Sequence, residues 1–589
     1  MLGKIIEIID NQVFIKLNID INNQTNLINL HVVFEDNTKK IIGEIVNVDQ
    51  EKMIVNIVGE LKNNTFLPGS ISKPSFKSSV RIITLEELEL ILGKQQPSNG
   101  ETFFGFSNIY QNYRINVSVN SFFSNHFAIL GNSGSGKSCT VASIIQKLFT
   151  STPRPPLKSN FIIFDAFGEY TNAFSNLKNH NPNLLYKTYT TNVKYADTDV
   201  VKIPLWLMDV DDLALLLDAT NPNQLPIIEK TLKLVPILVG DSEETIKHKN
   251  DIIARALEDI LLSGDSSTKI RDQVTAILTK FNTRDLNLET QIVQPGYVRT
   301  LKQCLYIDKT GKFQEIELVT EFIRSFINND ADAQRNKLSS ECYYTLKDLE
   351  EAMEFALISE GILKSERVYD LANVLSVRLH TLANSDSSTY FDYPEYINRQ
   401  DYIRTIFTDK MTNNKCQIVN FNINYVDDRM AKVITKIISK MIFSMAVENN
   451  NRGGTPFHII VEEAHRYIQK DKDTEILGYN IFDRITKEGR KYGVFLGVIT
   501  QRPSELSDTV ISQCSNFIVL RTMHPKDLDY IKNMVPNISI EIVKQLKELQ
   551  PGNCIAFGNA FKIPVSMHVE FPNPAPNSNN VDLANIWYQ

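Results

Sequence analysis

The sequence predicts an α/β protein built on a parallel sheet, with a small β-barrel before the sheet and a helical insertion within it. Three observations lead to this prediction. A phosphate-loop motif links a buried strand to a helix near residue 130, further buried strands follow, and the stretch between them has helical periodicity. At 589 residues the chain is too long for a single hydrophobic core, so we expect several domains.

The first part of the chain predicts an antiparallel barrel. Short runs of alternating apolar and polar residues are separated by Asn, Asp and Gly, which is typical of strands and turns. The polar stretch 94–100 reads as a linker, and we assign residues 1–95 to the barrel. The predicted strands are 4–9, 13–17, 30–34, 41–48, 53–58 and 79–83.

A parallel sheet is predicted further along because buried apolar strands are followed by helices. The predicted strands are 126–130, 160–164, 416–421, 457–461, 494–499 and 516–520. The gap between the second and third of them is too long for one crossover, and its periodicity is helical. We therefore predict a first core part at 96–235, a helical insertion at 236–400, a second core part at 401–571 and an extended arm at 572–589.

Two helical segments show clear patterns. The insertion contains 251–262, whose apolar residues share one face, and a near capping box formed by Thr345 and Asp348. In 429–447 the apolar residues lie opposite a stripe of lysines. We interpret the stripe as a solvated face, with a DNA-binding ridge as the alternative. Its members are Lys432, Lys436 and Lys440.

The composition is that of an ordinary globular protein, with 42% hydrophobic and 22% charged residues. No apolar run approaches the ~18 residues of a membrane span, and Asp10 interrupts the start before a signal-peptide core forms, so we expect a cytoplasmic protein. Six widely spaced cysteines without a CxxC pair argue against a disulfide framework or a structural zinc. The net charge of −7 neither supports nor excludes nucleic-acid binding.

A complete phosphate loop, GxxxxGK[ST], spans Gly131–Ser138. Its glycines permit a tight turn whose backbone N–H groups face phosphate oxygens, and the following helix adds the positive end of its dipole. Lys137 would reach the β- and γ-phosphates, and the Ser138 hydroxyl would ligate Mg2+. The strand before the motif and the helix after it disfavour a chance match. The predicted nucleotide-binding residues are Gly131, Ser133, Gly134, Ser135, Gly136, Lys137, Ser138 and Cys139.

Two carboxylates, Glu462 and Glu463, follow the apolar strand 457–461, which is typical of a Walker B motif. Glu462 would hold the Mg2+ shell, although Asp is the usual residue there, and Glu463 would polarise the attacking water. The alternative is an ordinary strand end with solvated acids. The phosphate loop upstream favours the catalytic interpretation.

Further polar residues follow other strands. Gln501 comes at the carboxyl end of a buried strand, where open parallel sheets bind ligands, so we expect it to sense the γ-phosphate or its water. Arg484 and Arg490 form either a solvated helix end or a finger that enters a neighbouring subunit's site. Asp165 and Glu169 would contact the water, the Mg2+ shell or a subunit boundary, and the sequence does not choose among these.

Seven motifs in this order resemble the HerA branch of the HerA/FtsK ATPases, and the resemblance covers essentially the whole chain. They are GNSGSGKS (131–138), FDAFGEY (164–170), IPLWLM (203–208), VEEAHRY (461–467), EGRKYG (488–493), ITQRPSELSDTVISQCSNFIVLR (499–521) and PGNCIAFG (551–558).

The resemblance implies a RecA-like P-loop ATPase core and a homohexamer that translocates along double-stranded DNA as a helicase-type enzyme, with ATP and Mg2+ as cofactors. It also implies that Glu463 is the catalytic acid, Gln501 the sensor and Arg490 the trans-acting finger. The family's additional arginine upstream of the phosphate loop has no match near 121–127. A nuclease is the partner that the family suggests.

Two functions fit these motifs equally well. One is a DNA translocase in end processing, and the other is a scaffold and regulatory ATPase that activates a nuclease or a sirtuin-like NADase in antiviral defence. The Asn/Ile/Lys-rich composition suggests an AT-rich bacterial genome, which favours defence. A conjugation pump and a small-molecule kinase fit less well, because no membrane segment is predicted and a kinase does not explain Glu463 with Gln501. Lys470 and Lys472 are candidate pore residues.

Overall fold

The computed structural model describes residues 2–18, 26–36, 39–69, 72–152, 154–194, 199–328, 342–359, 366–469, 473–534, 540–578 and 583–588. The chain forms two compact units. The first comprises Met1–Thr191, Ile403–Asp471 and Tyr479–Gln589, and the second comprises Asn192–Tyr402 and Lys472–Gly478. The two lysines named as candidate pore residues lie outside the described residues.

The strands, in chain order, are β1 (Gly3–Ile9), β2 (Gln12–Leu17), β3 (His31–Glu35), β4 (Lys40–Val48), β5 (Lys52–Lys62), β6 (Thr65–Pro68), β7 (Ser79–Ile82), β8 (Glu101–Ser107), β9 (Arg114–Ser118), β10 (Phe127–Leu130), β11 (Phe161–Asp165), β12 (Tyr186–Thr190), β13 (Asp199–Val200), β14 (Gln291–Gln294), β15 (Tyr297–Thr300), β16 (Ile418–Asn422), β17 (Phe457–Val461), β18 (Val494–Thr500), β19 (Asn516–Leu520), β20 (Asn553–Gly558) and β21 (Val565–His568).

The helices are α1 (Leu85–Leu92), α2 (Val119–Phe123), α3 (Lys137–Thr150), α4 (Leu177–His180), α5 (Val210–Leu216), α6 (Leu225–Val239), α7 (Glu243–Leu261), α8 (Ser267–Lys280), α9 (Leu301–Cys304), α10 (Ile316–Arg324), α11 (Leu346–Ser359), α12 (Glu366–Ala383), α13 (Arg399–Ile406), α14 (Asp428–Glu448), α15 (Asp473–Leu477), α16 (Ile481–Tyr492), α17 (Asp508–Gln513), α18 (Pro525–Met534), α19 (Ile540–Glu548) and α20 (Leu583–Trp587). No helix in the described part of the chain has both the length and the apolar composition that a membrane span requires.

The amino-terminal sheet of the first unit has the strand order β1-β2-β5-β4-β3-β7, with β6 on β5, and its pairs are antiparallel. Register shifts along β4 and β5 mark bulges, which increase local twist and bend. The Leu2 N–H donates to the Val80 carbonyl at 2.8 Å, so the two ends of the strand path meet. The closed-barrel assignment itself stays a prediction.

The larger sheet of the first unit is mixed. The strands β12-β16-β11-β17-β18-β10-β19 are parallel neighbours, and β20-β21-β8-β9 continue the sheet in antiparallel fashion. All six strands predicted for the core lie in the parallel part, which buries every residue of β10, β11, β16, β17, β18 and β19. Full burial of the strands is what a parallel sheet covered on both faces requires.

The helix α14 departs from its prediction. Lys436 is only 5% exposed, and its neighbours Thr435 and Ser439 are fully buried. Lys432 and Lys440 are half-buried. The interpretation of the lysine stripe as a solvated face is therefore wrong, because tertiary packing covers the polar side of this helix as well as its apolar side.

The second unit is mainly helical. The helix α11 packs against α6, α7 and α12, and its Leu349, Ala352 and Phe355 are fully buried. Thr345 and Asp348 form the expected reciprocal cap, because the Thr345 N–H donates to Asp348 Oδ2 at 2.7 Å and the Asp348 N–H donates to Thr345 Oγ1 at 3.3 Å. The predicted insertion, 236–400, lies inside this unit, and the predicted domain boundaries stay predictions.

Candidate active site

The phosphate loop connects β10 to α3. Gly134 and Gly136 have φ values of 72° and 100°, a left-handed conformation that favours glycine. The loop also contacts the PGNC motif, since the Gly552 N–H donates to the Ser135 carbonyl at 3.2 Å. A Cβ at Gly136 would lie 3.3 Å from the Gly552 nitrogen. The backbone conformation therefore favours glycine at this position, and a Cβ would also make a tight contact with Gly552.

The first two residues of α3 point into a cluster of acids. Lys137 is 8% exposed, and its Nζ donates to the Asn132 carbonyl at 3.2 Å. Burial lowers the pKa of Lys137, while the charges of Glu463, Glu462 and Glu169 act in the opposite direction. The ammonium is therefore held in a desolvated site without a direct carboxylate ion pair among the described contacts, which leaves its charge available to a phosphate.

Ser138 links α3 to the end of β17. Its Oγ donates to Glu462 Oε1 at 3.2 Å, and its side chain also hydrogen-bonds Glu169. The Tyr170 hydroxyl donates to the same Glu462 oxygen at 3.3 Å. Three segments that are far apart in the sequence therefore meet at one carboxylate.

Glu462 is 2% exposed, its side chain pairs with the carboxyl group of Asp165, and its Oε2 receives no hydrogen bond from any other group among the described residues. Burial, followed by the charges of Asp165, Glu169 and Glu463, raises its pKa well above the ordinary value. A buried carboxylate oxygen without a partner is costly, so such a group is expected to gain a cation or a proton.

Glu463 adopts a left-handed backbone, with φ 45° and ψ 44°, which is unfavourable for a residue with a Cβ. Its side chain is 6% exposed, and burial raises its pKa although Lys137 and Arg466 act against this rise. His465 Nδ1 lies 3.3 Å from Glu463 Oε2 without hydrogen-bond geometry. A raised pKa suits a group that accepts a proton from water.

Asp165 and Glu169, the two acids whose roles the sequence left open, make different contacts in the structure. Both oxygens of Asp165 accept backbone N–H groups, from Glu169 at 3.0 Å and from Tyr170 at 2.9 Å, and Asn420 Nδ2 donates at 3.2 Å. Asp165 therefore fixes the turn after β11. Glu169 contacts Ser138 instead, and its buried Oε2 has no partner among the described residues.

Gln501 follows β18, which lies between β17 and the phosphate-loop strand β10. Thr500 pairs with Leu130 in register, and its carbonyl accepts the Gly131 N–H at 3.3 Å. The half-buried Gln501 is thus next to the first residue of the phosphate loop. Arg502 is exposed and pairs with Glu505 at 2.9 Å.

Arg490 lies elsewhere. It is exposed in the last turn of α16. Burial lowers the pKa of His126, which precedes β10, and the charge of Arg490 lowers it further. His126 marks the amino end of β10, whereas the phosphate loop follows the carboxyl end. Arg490 therefore lies towards the opposite end of β10 from the phosphate loop of its own chain, and its role as a trans-acting finger stays a prediction.

Sequence reasoning missed two residues of the site. Tyr170 is fully buried and contacts Glu462, as described above. Arg521 follows β19, its carbonyl accepts the Asn132 N–H at 2.9 Å, and its buried Nε has no partner among the described residues. The rule that selected Gln501, a polar residue at the carboxyl end of a strand beside β10, would also have selected Arg521.

The site fits a metal ion that is shared with a nucleotide. Within the described residues, no group of three or more His, Cys, Asp or Glu side chains converges on a metal position of its own. Mg2+ typically takes one or two protein oxygens together with phosphate and water oxygens. The Ser138 hydroxyl and the unpartnered Oε2 of Glu462 match this requirement.

Comparison with known proteins identifies the chain. The family model of the helicase HerA central domain matches residues 105–303. A DNA double-strand break repair helicase HerA from Pyrococcus furiosus is 24% identical over 90% of this chain and 79% of the relative. The chain is a HerA-type ATPase. The family and the ATP-hydrolysing, helicase-type activity that the sequence predicted are confirmed.

Other relatives of this HerA-type ATPase include a probable helicase from Methanocaldococcus jannaschii, 23% identical over 94% of this chain and 81% of the relative. A HerA helicase from Sulfolobus acidocaldarius is 30% identical over 32% of this chain and 38% of the relative. The solved structure of VirB4 from Thermoanaerobacter pseudethanolicus covers 81% of this chain and 98% of its own, at 12% identity and a TM-score of 0.40. In the parallel sheet of this HerA-type ATPase, β18 lies between the phosphate-loop strand β10 and the carboxylate-bearing strand β17.

Proposed function

We propose that this HerA-type ATPase couples ATP hydrolysis to translocation along double-stranded DNA, as a homohexameric ring in the cytoplasm. The observation that supports it most directly is the meeting of the phosphate loop with the Walker B acids, seen in the 3.2 Å contact between Ser138 Oγ and Glu462 Oε1. Gln501 directly follows β18, the strand between them. A nucleotide-dependent motor needs these three elements together.

Each residue has a role in the proposed reaction. Lys137 binds the β- and γ-phosphates, and the loop N–H groups of 131–136 orient them. Ser138 and Glu462 would hold Mg2+, which neutralises phosphate charge when bound. Glu463 takes a proton from the attacking water, for which its raised pKa is suited, and Gln501 positions that water.

The DNA substrate is proposed from the relatives named as DNA double-strand break repair helicases. An effector partner, a nuclease or a sirtuin-like NADase, follows from the same family resemblance, with end processing or antiviral defence as the setting. A scaffold and regulatory ATPase is the alternative function. The two differ in whether DNA binding and ATP turnover are coupled.

The ATPase assignment is tested by Lys137→Ala. We expect ATP binding to be lost, because no other described ammonium faces the phosphate position, and turnover to fall by at least a hundredfold or so. Isothermal titration calorimetry and a phosphate-release assay measure the two effects. Lys178→Ala, an exposed lysine of the same unit, is the matched control. Wild-type ATP affinity in Lys137→Ala would refute the assignment.

The DNA proposal is tested by fluorescence anisotropy with two duplexes of unrelated sequence. A ring lumen would contact the phosphate backbone, so we expect equal affinity for both and a loss of roughly 10^3-fold between about 50 and 200 mM salt. Duplex DNA should also stimulate the ATPase. A duplex affinity that does not change with salt, or an ATPase rate that does not change when DNA is added, would favour the scaffold alternative.

A further inference from the structure

The carboxyl-terminal segment 570–578 lies along α3, the helix that begins in the phosphate loop. Glu570 forms an ion pair with Lys147. Gln146 holds the next residues through both ends of its carboxamide, since its Oε1 accepts the Asn573 N–H at 3.0 Å and its Nε2 donates to the Pro574 carbonyl at 2.9 Å. The segment is therefore attached to the nucleotide-binding helix by side chains that the phosphate site does not use.

The end of this segment reaches the site. The Asn577 N–H donates to the Glu169 carbonyl at 2.8 Å. The side chain of Ser578 hydrogen-bonds the thiol of Cys139, the residue directly after Ser138. Residues 577–578 therefore lie beside the first turn of α3, within contact of both Glu169 and Cys139.

The direction of a bound nucleotide follows from the positions of Lys137 and Ser138. These residues take the β- and γ-phosphates, and the N–H groups at the start of the helix take the phosphate nearest the sugar. The nucleoside must then leave the loop past Cys139. Ser578 is the side chain that hydrogen-bonds Cys139 in the structure, so the segment borders the space that a nucleoside would enter.

We propose that residues 577–578 form one wall of the nucleoside subsite, in which the Asn577 carboxamide and the Ser578 hydroxyl contact a purine ribonucleoside. This inference rests on the proposed nucleotide function. Both side chains are exposed, and a carboxamide presents an adjacent donor and acceptor, which matches the edge of adenine. The prolines at 572, 574 and 576 stiffen the segment, so less ordering entropy is lost on binding.

Two truncated chains distinguish nucleoside binding by residues 577–578 from any contribution of the exposed helix α20. One ends at Phe571 and lacks the wall, and the other ends at Ser578 and keeps the wall but lacks α20. Titration calorimetry with ATP and with inorganic tripolyphosphate measures the nucleoside contribution. We expect the chain ending at Phe571 to bind ATP about tenfold more weakly, tripolyphosphate to bind unchanged, and the chain ending at Ser578 to match the full chain.

Two full-length variants provide the same test if the chain that ends at Phe571 does not fold. The double variant Asn577→Ala/Ser578→Ala should weaken ATP but not tripolyphosphate, and Asn573→Ala, an exposed asparagine of the same segment, is the control. Equal losses for both ligands, no loss, or tighter ATP binding would each overturn the inference; the last would identify the segment as a plug. A full chain that binds neither ligand would instead refute the nucleotide function itself.

Discussion

Two groups of carboxylates in the first unit differ in how their charges are balanced. In the amino-terminal sheet, Arg81 Nη2 lies 2.7 Å and Lys40 Nζ lies 3.0 Å from Glu87 Oε1, and Arg81 also pairs with Glu35. Hydrogen bonding to Arg81 lowers the pKa of Glu87 to about 2. Each acid in this group has a cation of its own chain.

The acids of the active site lack such partners. Glu462, Glu463 and Glu169 each have a buried oxygen without a hydrogen bond among the described residues, and burial raises the pKa of all three. Lys137 is the ammonium whose charge acts on this group. The first cluster therefore stabilises the fold, whereas the second lowers stability and leaves carboxylate oxygens open to cations from outside the chain.

The largest effect is expected when the arginine that one subunit would supply to its neighbour's active site is removed. Arg490→Ala should lower the ATPase rate by roughly 10^3-fold, because a guanidinium from a neighbouring subunit stabilises charge on the γ-phosphate. Mixing inactive Arg490→Ala with inactive Lys137→Ala subunits should restore part of the rate, since one mixed interface has an intact loop and an intact finger. A phosphate-release assay on mixed and unmixed samples measures this.

The control for Arg490 is Lys487→Ala, an exposed cation on the same helix. It should leave the rate unchanged. Mixed assemblies that form but remain inactive would exclude Arg490 as the finger, and Arg484 or Arg502 would be tested next.

Glu463→Gln should remove turnover without removing ATP binding. The amide keeps the shape of the side chain but cannot accept the proton of the attacking water, so we expect a loss on the order of a hundredfold or more. ATP affinity and thermal stability measured beside the rate separate this effect from misfolding. If the Gln variant hydrolyses ATP normally, the role passes to Glu462 or Glu169.

Glu87→Gln should have the opposite profile, with normal turnover and lower stability. The side chain of Glu87 is 10% exposed, and loss of its ion pairs should cost about 1–2 kcal/mol at neutral pH. Because its folded pKa is about 2 and its ordinary value is 4.5, this contribution is complete above pH 4.5 and disappears as the pH falls towards 2. Urea denaturation at several pH values measures it.

Glu86→Gln is the matched control for Glu87, because Glu86 is exposed on the same helix. A variant at position 87 that is destabilised equally at neutral and acidic pH would show that packing, and not the ion pairs, is responsible.

The smallest effect is expected for Glu462→Gln without nucleotide. Its pKa is raised in the folded chain, so its ionisation opposes folding, and stability should fall less in the variant than in the wild type as the pH rises through that pKa. At neutral pH we expect the variant to melt about 2 °C or more higher by calorimetry. Mg2+ with ATP should stabilise the wild type more than the variant. A lower melting temperature would place Glu462 among the stabilising acids.

The phosphate loop and the positions of the core strands could be predicted from the amino-acid sequence. Both depend on residue type and short spacing: Gly134 and Gly136 favour a left-handed turn, and apolar runs such as 517–520 favour burial. The sequence also selected Glu462, Glu463 and Gln501, because polar residues at carboxyl strand ends meet at one edge of a parallel sheet.

Which distant side chains become neighbours, and which acids are buried away from solvent, depends on how the whole chain folds. Asp165 and Glu169 have the same chemistry in the sequence, yet one is fixed by backbone N–H groups and the other faces Ser138. Sequence patterns also could not predict the burial of the α14 lysines or the contact between Ser578 and Cys139. The physical reason is that burial and pairing depend on segments hundreds of residues apart, and local periodicity carries no information about them.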